Sequence, residues 1–440
     1  MQHHDHNVFQ NLRRELADGR RWVDRSIVLA YAAAAGLCVV CFTLLAERAF
    51  ALFGRVYAWH GGWVVLAWMP AVTTAVVWAT RRWAPGAGGA GIPQVVAALE
   101  APPAEPRGRL VSLRLSLAKI VLTSGSFLAG LSVGREGPSV QVAAGVMHHA
   151  RRWFGPQSGI SAHALLVAGG AAGIAAAFNA PLAGVVFAVE ELSRKLESRS
   201  SGLIIAAIVL AGLMGVSAFG NLAYFGRIQV PHLGWATLLP GLCVTLACGV
   251  LGGVFARLLA ASVLGRMGRL GQWRARFPIR FAVLGALVVA LIGVLSGGAT
   301  FGAGVEGIRH LVAGEGDVPS FYVVLKFVAT WLSVWVGAPG GIFAPSLAIG
   351  AGVGHDVALA LGSPAHVALI AMGMAAFLAA VTQAPMTSFI IVMEMVDGHA
   401  MVLSLMAAAM LASLISRLLA QPLYETLAAS MLPAAPPAKG

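Results

Sequence analysis

The pentapeptide Gly134-Arg135-Glu136-Gly137-Pro138 interrupts a stretch that carries no charge over residues 120–133 and none over residues 139–147. An ionisable side chain at membrane depth costs about 2.5–3.5 kcal/mol on insertion scales, so one that is retained there is paired, faces water or serves function. The glycines and proline around Glu136 end one helix and open another. Pro138 suits the first turn of a helix, where its missing N–H would have had no partner. A helix beginning here presents unpaired N–H groups and a partial positive charge to whatever lies ahead of it. The result is an anion site made of backbone, with a carboxylate standing in it.

Composition sets the surroundings. Of 440 residues, 58% are hydrophobic and 11% are charged, and the mean hydropathy is +0.81. No soluble protein of this size needs so much apolar surface, so an all-α polytopic membrane protein is expected. A formal charge of +12 does not imply nucleic acid, because no soluble domain carries it. The arginines instead cluster at the ends of apolar segments, the positive-inside pattern. Arg13, Arg14, Arg20, Arg21 and Arg25 precede an apolar helix expected over 27–53, which places the N-terminus in the cytoplasm. A second segment, expected over 63–79, returns to Arg81 and Arg82. No cleavable signal peptide is expected. His3, His4 and His6 read as an exposed terminal tract, and Cys38, Cys41, Cys243 and Cys248 as packing residues within apolar segments. No metal or cofactor is expected.

Further along, Gly86-Ala87-Gly88-Gly89-Ala90-Gly91-Ile92-Pro93 holds too many glycines for a stable helix. It can expose backbone to a cavity or serve as a plain loop, and Pro93 can start the next short helix. Residues 100–114 are polar and read as cytoplasmic, with Glu100 and Lys119 as anchors at that edge. Beyond residue 115, glycine and proline cut the apolar runs into pieces often shorter than the ~20 residues of a simple span. Broken helices at membrane depth survive only when buried in protein or lining a water-filled path. A transporter or channel is therefore favoured over a simple bundle. Glu190 and Glu191 end the run 171–189 and precede Arg194, Lys195 and Arg199. Adjacent acids at a helix end usually form a solvated face, yet their side chains diverge and one could face inward.

The chain also repeats itself. Gly134 to Ser139 aligns with Gly341-Ile342-Phe343-Ala344-Pro345-Ser346 at an offset of 207. Asn179-Ala180-Pro181-Leu182 aligns with Gln383-Ala384-Pro385-Met386 at 204, which makes Glu394 the counterpart of Glu190 and favours a structural role for it. Gly89 to Ile92 has a weaker partner in Gly302 to Val305 at 213. Paired halves with interrupted helices mark many secondary transporters, with the site between the halves. The residues alone leave open whether the halves run parallel or inverted. If the helices opened by Pro138 and Pro345 converge, their N-termini form one anion site.

The motifs GREGP at 134–138, GAGIP at 89–93 and GIFAP at 341–345, with Pro422-Leu423-Tyr424, resemble the CLC family of chloride channels and chloride–proton antiporters. The resemblance spans residues 27–425. It implies two inverted membrane repeats, 27–225 and 226–425, between a cytoplasmic segment 1–26 and a short tail 426–440 without regulatory domains. It also implies a homodimer with one pore per subunit, multi-pass in a cell membrane of bacterial inner-membrane type, both termini cytoplasmic. By position, Glu136 resembles the gate that competes with the anion and carries the proton. Glu191 resembles the intracellular proton-transfer glutamate. Ile342, Phe343 and Tyr424 resemble ligands of the central anion, and Ala90, Gly91, Arg135 and Gly137 lie in the matching anion-binding motifs. At Ala90 the family commonly has a serine whose hydroxyl meets the anion, so anion preference is expected to differ here.

The physical reason for such residues is direct. A carboxylate at a helix N-terminus mimics the transported anion, and its protonation removes both charge and competition. Anion and proton binding are thereby linked. The resemblance thus implies exchange of chloride, or a similar monovalent anion, for protons. A passive gated channel shares every motif except Glu191, and a fluoride exporter fits the proline of GREGP and Tyr424 less well. From a different class, Gly130-Leu131-Ser132-Val133-Gly134 matches the G-x-S-x-G of serine hydrolases, but it lacks the preceding strand and a singled-out histidine.

Overall fold

The computed structural model describes residues 19–102, 107–155, 158–193, 201–220, 237–313, 319, 321–396 and 399–432. The readings on His3, His4, His6, Arg13 and Arg14, on Arg194, Lys195 and Arg199, and on residues 433–440 lie outside these. Among the described residues there are eighteen α-helices and no strand. Seven helical segments are long and apolar enough to cross a membrane.

α1 (Gly19–Ala58) starts eight residues before the expected boundary at Ile27. No proline stops it, and arginines at a helix end can carry their charge outward along their apolar stems. Leu37, Leu44, Leu45 and Leu52 are exposed on one side, while Ala32, Ala35 and Val39 are buried on the other. Such an apolar outer face suits a hydrocarbon solvent. α2 (Val65–Trp83) follows, displaced by a few residues from the expected 63–79. α3 (Ile92–Glu100) is short and has Pro93 in its first turn.

The remaining helices of the first half are α4 (Leu113–Leu128), α5 (Glu136–His149), α6 (Ala162–Phe178), α7 (Pro181–Phe187) and α8 (Ser201–Phe219). The apolar run over 171–189 is broken near its middle, as a proline within it allows. Asn179 takes a left-handed φ of 56°, which asparagine tolerates, and Pro181 opens α7. In the second half come α9 (Leu238–Val263), α10 (Gly268–Arg276), α11 (Pro278–Leu295), α12 (Val305–Ala313), α13 (Tyr322–Trp335) and α14 (Phe343–Ala360). They are followed by α15 (His366–Thr382), α16 (Pro385–Met395), α17 (Val402–Leu419) and α18 (Leu423–Ala429). The break before α7 recurs at Gln383, φ 59°, before Pro385 and α16.

The halves meet through reciprocal contacts. Gly134 N–H donates to the Gly341 carbonyl at 2.7 Å, and Gly341 N–H donates to the Gly134 carbonyl at 2.7 Å. The two form an antiparallel bridge immediately before α5 and α14. A second exchange joins the shorter helices. Glu190 accepts from the N–H groups of Met386 and Thr387 at 3.0 and 2.6 Å, and Glu394 accepts from those of Leu182 and Ala183 at 3.2 and 2.7 Å. Each contact is its own mirror under exchange of the halves, the mark of a two-fold relation. The fold is therefore two inverted repeats of broken helices. Glu190 is half-buried and caps α16 across the repeat boundary, and Glu394 has the structural role expected of it.

Candidate anion site between the repeats

The bridge between Gly134 and Gly341 sets the N-termini of α5 and α14 side by side. Each helix begins after a residue in the right-handed region, Arg135 and Ile342, and has its proline at the third position. Proline there needs no N–H partner, so the first turn keeps its open amides for a ligand. Two positive helix ends facing one point reinforce each other.

Glu136 stands at this point. Its side chain is 1% exposed. The carboxylate lies among the backbone N–H groups of Arg135, Glu136 and, from the other repeat, Ala344, while Oε2 has no hydrogen-bond partner. A carboxylate held by amides from both half-helices marks a point where backbone alone can hold a negative charge.

The glycine loop before α3 closes the site. Any Cβ at Gly137 would come 2.5 Å from the Ala90 carbonyl, and one at Gly91 would strike the Gly137 carbonyl. Glycine at both positions lets the loop and α5 touch backbone to backbone. The loop carbonyls are drawn away by buried side chains. Lys119 Nζ donates to Ala87 and Gly89 at 2.9 and 2.6 Å, Gln94 Nε2 donates to Gly88, and Gln141 Nε2 donates to Gly86 at 2.8 Å. In a trans peptide the N–H lies opposite the C=O. Fixing the Gly88 and Gly89 carbonyls therefore turns the N–H groups of Gly89 and Ala90 the other way.

Lys119 is fully buried, which corrects its reading as a cytoplasmic-edge anchor. Its counterpart Lys326, 207 residues later, is equally buried and donates to the Thr300 and Gly302 carbonyls at 3.0 and 2.8 Å. Carbonyl oxygens are the partners in both cases. A lone lysine in an apolar run was the available signal, strengthened by its recurrence at the repeat offset. Gln94 and Gln141 gave no such signal.

Two cavities flank the site. One, of about 660 Å³, is lined by Gly88, Gly89, Ala90, Ile342, Tyr424, Arg81 and Arg274, among others. Tyr424 is 1% exposed, its hydroxyl has no hydrogen-bond partner, and its ring stacks on Phe343 at 6.2 Å. A buried hydroxyl without a partner is a rare and costly arrangement, and here it supplies a donor beside the amides. The Tyr424 hydroxyl lies within electrostatic range of both Glu191 and Glu136. Glu191 itself is half-buried on the π-helical turn Ala188–Leu192. The other cavity, of about 370 Å³, is lined by Glu136, Arg135, Glu47, Ala303, Gly304 and Tyr322, among others. Arg135 Nη1 donates to Glu47 Oε1 at 2.8 Å.

Ala90, Gly91, Gly137, Ile342, Phe343 and Tyr424 are thus neighbours about the convergent helix ends, and Glu136 lines the second cavity. The guanidinium of Arg135 belongs to that second cavity. Ser132, in contrast, is fully buried; its hydroxyl meets Thr330 Oγ1 at 2.8 Å and its N–H donates to Ser333 Oγ at 3.0 Å. No triad forms from those partners. Among the described residues no group of three or more His, Cys, Asp or Glu side chains is placed to hold a metal ion.

These features define a membrane transport protein whose candidate anion site lies at the interface of inverted repeats. Residues 71–417 match the family model of the voltage-gated chloride channel, and the chain belongs to that family, the CLC proteins, which are transporters or channels and not enzymes. Among solved structures, it is similar to a slow cyanobacterial Cl⁻/H⁺ antiporter at 23% identity and TM-score 0.75, over 92% of this chain and 98% of that one. A CLC-type fluoride/proton antiporter is similar at 22% identity and TM-score 0.74, over 92% and 97%. A eukaryotic CLC transporter matches at 20% identity and TM-score 0.75, over 93% of this chain and 74% of that one. At these identities the likeness establishes the fold.

Proposed function

We propose that this chain is a secondary active transporter exchanging chloride, or a similar monovalent anion, for protons. The observation that carries the reading is the Glu136 carboxylate seated among amides of both half-helices, between two cavities. When ionised it fills the anion position and blocks the passage. When protonated it no longer competes, so an anion can enter as the proton is carried. Ile342, Phe343 and Tyr424, with the Ala90 loop, hold the central anion on the Tyr424 side. Glu191 passes protons between that side and Glu136.

Arg81 and Arg274 at the mouth of the Tyr424 cavity support a cytoplasmic position for it. In this orientation both termini are cytoplasmic and the Glu136 cavity opens outward. A homodimer in a cell membrane completes the reading.

A passive channel would move anions without protons. Structural neighbours named as chloride/proton and fluoride/proton antiporters both support coupling, and they differ in anion. Ala90 removes one side-chain donor from the loop, so selectivity falls to amides and Tyr424. The test is anion efflux from liposomes, with chloride, nitrate and fluoride in turn and the pH of the medium recorded. The expected result is chloride efflux, with nitrate comparable and fluoride slower, accompanied by proton uptake. Anion efflux without proton movement would replace the reading by a channel.

A further inference from the structure

A basic pocket lies apart from Glu136, where the end of α5 meets the start of α4. The pocket there has a volume of about 370 Å³ and is lined by Gly108, Ser112, Leu113, His148, Arg151 and Arg152, among others. Arg151, which lines the pocket, and Arg107, next to its lining residue Gly108, both act electrostatically on His148, so positive groups gather about this pocket. Among the described residues no carboxylate pairs with Arg107, Arg151 or Arg152. His148 Nδ1 is buried without a hydrogen-bond partner. The start of α4, capped by Ser112, also lines the pocket and adds the positive end of a 16-residue helix.

The surroundings fix the depth. Arg152 stacks on the exposed Trp153 at 5.1 Å, and Trp153 Nε1 donates to the Tyr31 hydroxyl at 2.9 Å. Arg25 lies over the exposed Trp22 at 5.6 Å. Tryptophan and tyrosine with arginine at one level are the residues of a membrane–water interface. Basic pockets at that level suit anionic headgroups. Arginine also matches the geometry of phosphate oxygens better than a point charge does.

We infer that this pocket binds a phosphate group, the phosphodiester of an anionic phospholipid or a soluble phosphomonoester, at the membrane surface. Its volume admits the phosphate with its glycerol, while acyl chains would run along the apolar face outside. The inference does not depend on the transported ion.

The experiment is native mass spectrometry of the detergent-purified protein, titrated separately with phosphatidylglycerol, phosphatidylcholine of the same chains, and glycerol 3-phosphate. The wild type is expected to bind phosphatidylglycerol in preference to phosphatidylcholine. The triple substitution R107Q/R151Q/R152Q should weaken that binding roughly a hundredfold, about fivefold per basic residue removed. Glycerol 3-phosphate binding as tightly as phosphatidylglycerol, and lost in the same variant, would assign a soluble phosphate as the occupant. Thermal unfolding of the variant in detergent checks its fold. Should it be misfolded, the salt dependence of wild-type selectivity decides instead, because preference for phosphatidylglycerol must fall between low and high salt. Equal binding of the two lipids at low salt with no binding of glycerol 3-phosphate, or phosphate binding unchanged in a folded variant, would overturn the inference.

Discussion

At the scale of single residues, the site works by fixing dipoles and leaving a few groups unspent. Tyr424 is the clearest case, because its buried hydroxyl has no protein partner and its ring is held by Phe343. A hydrogen bond to a charged group contributes about 1.5–3 kcal/mol. Tyr424→Phe should therefore weaken chloride binding by about tenfold, the lower end of that range, when measured by calorimetry on purified protein. Unchanged affinity would leave Tyr424 as a packing residue. Lys119 acts on the loop from behind. Lys119→Met would strand the Ala87 and Gly89 carbonyls, each at about 1–3 kcal/mol. A clear fall in thermal stability, with weaker chloride binding, is expected. The residue scale is also where sequence was least legible. Glu136, Gly91 and Gly137 were readable because charge, glycine and proline have meaning along the chain. Lys119 was misread, and the cap made by Glu190 went unseen, because their partners, backbone groups 30 and more than 190 residues away, leave no local trace.

Among the elements, the half-helices are too short to stand alone and depend on their ends. α7 has seven residues and α16 eleven. Isolated helices of that length are marginal, so their termini must be satisfied by tertiary contacts. Glu190 and Glu394 do this across the repeat boundary, each taking two N–H groups of the other half. Capping contributes about 0.5–2 kcal/mol, and the helix dipole adds to a carboxylate placed there. Glu190→Gln and Glu394→Gln should each lower thermal stability, with the two losses similar in size because the contacts are equivalent. A loss confined to one of them would contradict the two-fold account. The repeat itself was legible at offsets of 204, 207 and 213, since proline and glycine mark helix starts. The left-handed turn at Asn179 was not, because asparagine and glutamine at the paired positions have no fixed backbone conformation, and their amide side chains do not set φ.

Across the whole molecule, the Glu136 cavity and the Tyr424 cavity are separate spaces with no lining residue in common, and the proposed pathway opens one to each side of the membrane. This sidedness can be read by accessibility. With Cys38, Cys41, Cys243 and Cys248 replaced by alanine, Glu306→Cys should react with a membrane-impermeant thiol reagent from outside. Met431→Cys should react only from the cytoplasmic side. Reaction of both from one side would contradict the assigned orientation. Composition made the membrane environment plain, and the motifs made the family plain. The outer faces of α1, α9, α11 and α17 are apolar and suit contact with hydrocarbon.

Coupling itself is tested by chloride-driven proton movement in liposomes containing the purified protein, with the voltage clamped by valinomycin and potassium. A chloride gradient should drive protons uphill through the wild type. In Glu136→Ala and Glu191→Ala that movement should vanish while chloride flux persists. Chloride flux through the wild type with no proton movement would contradict exchange and leave Glu191 without a transport role.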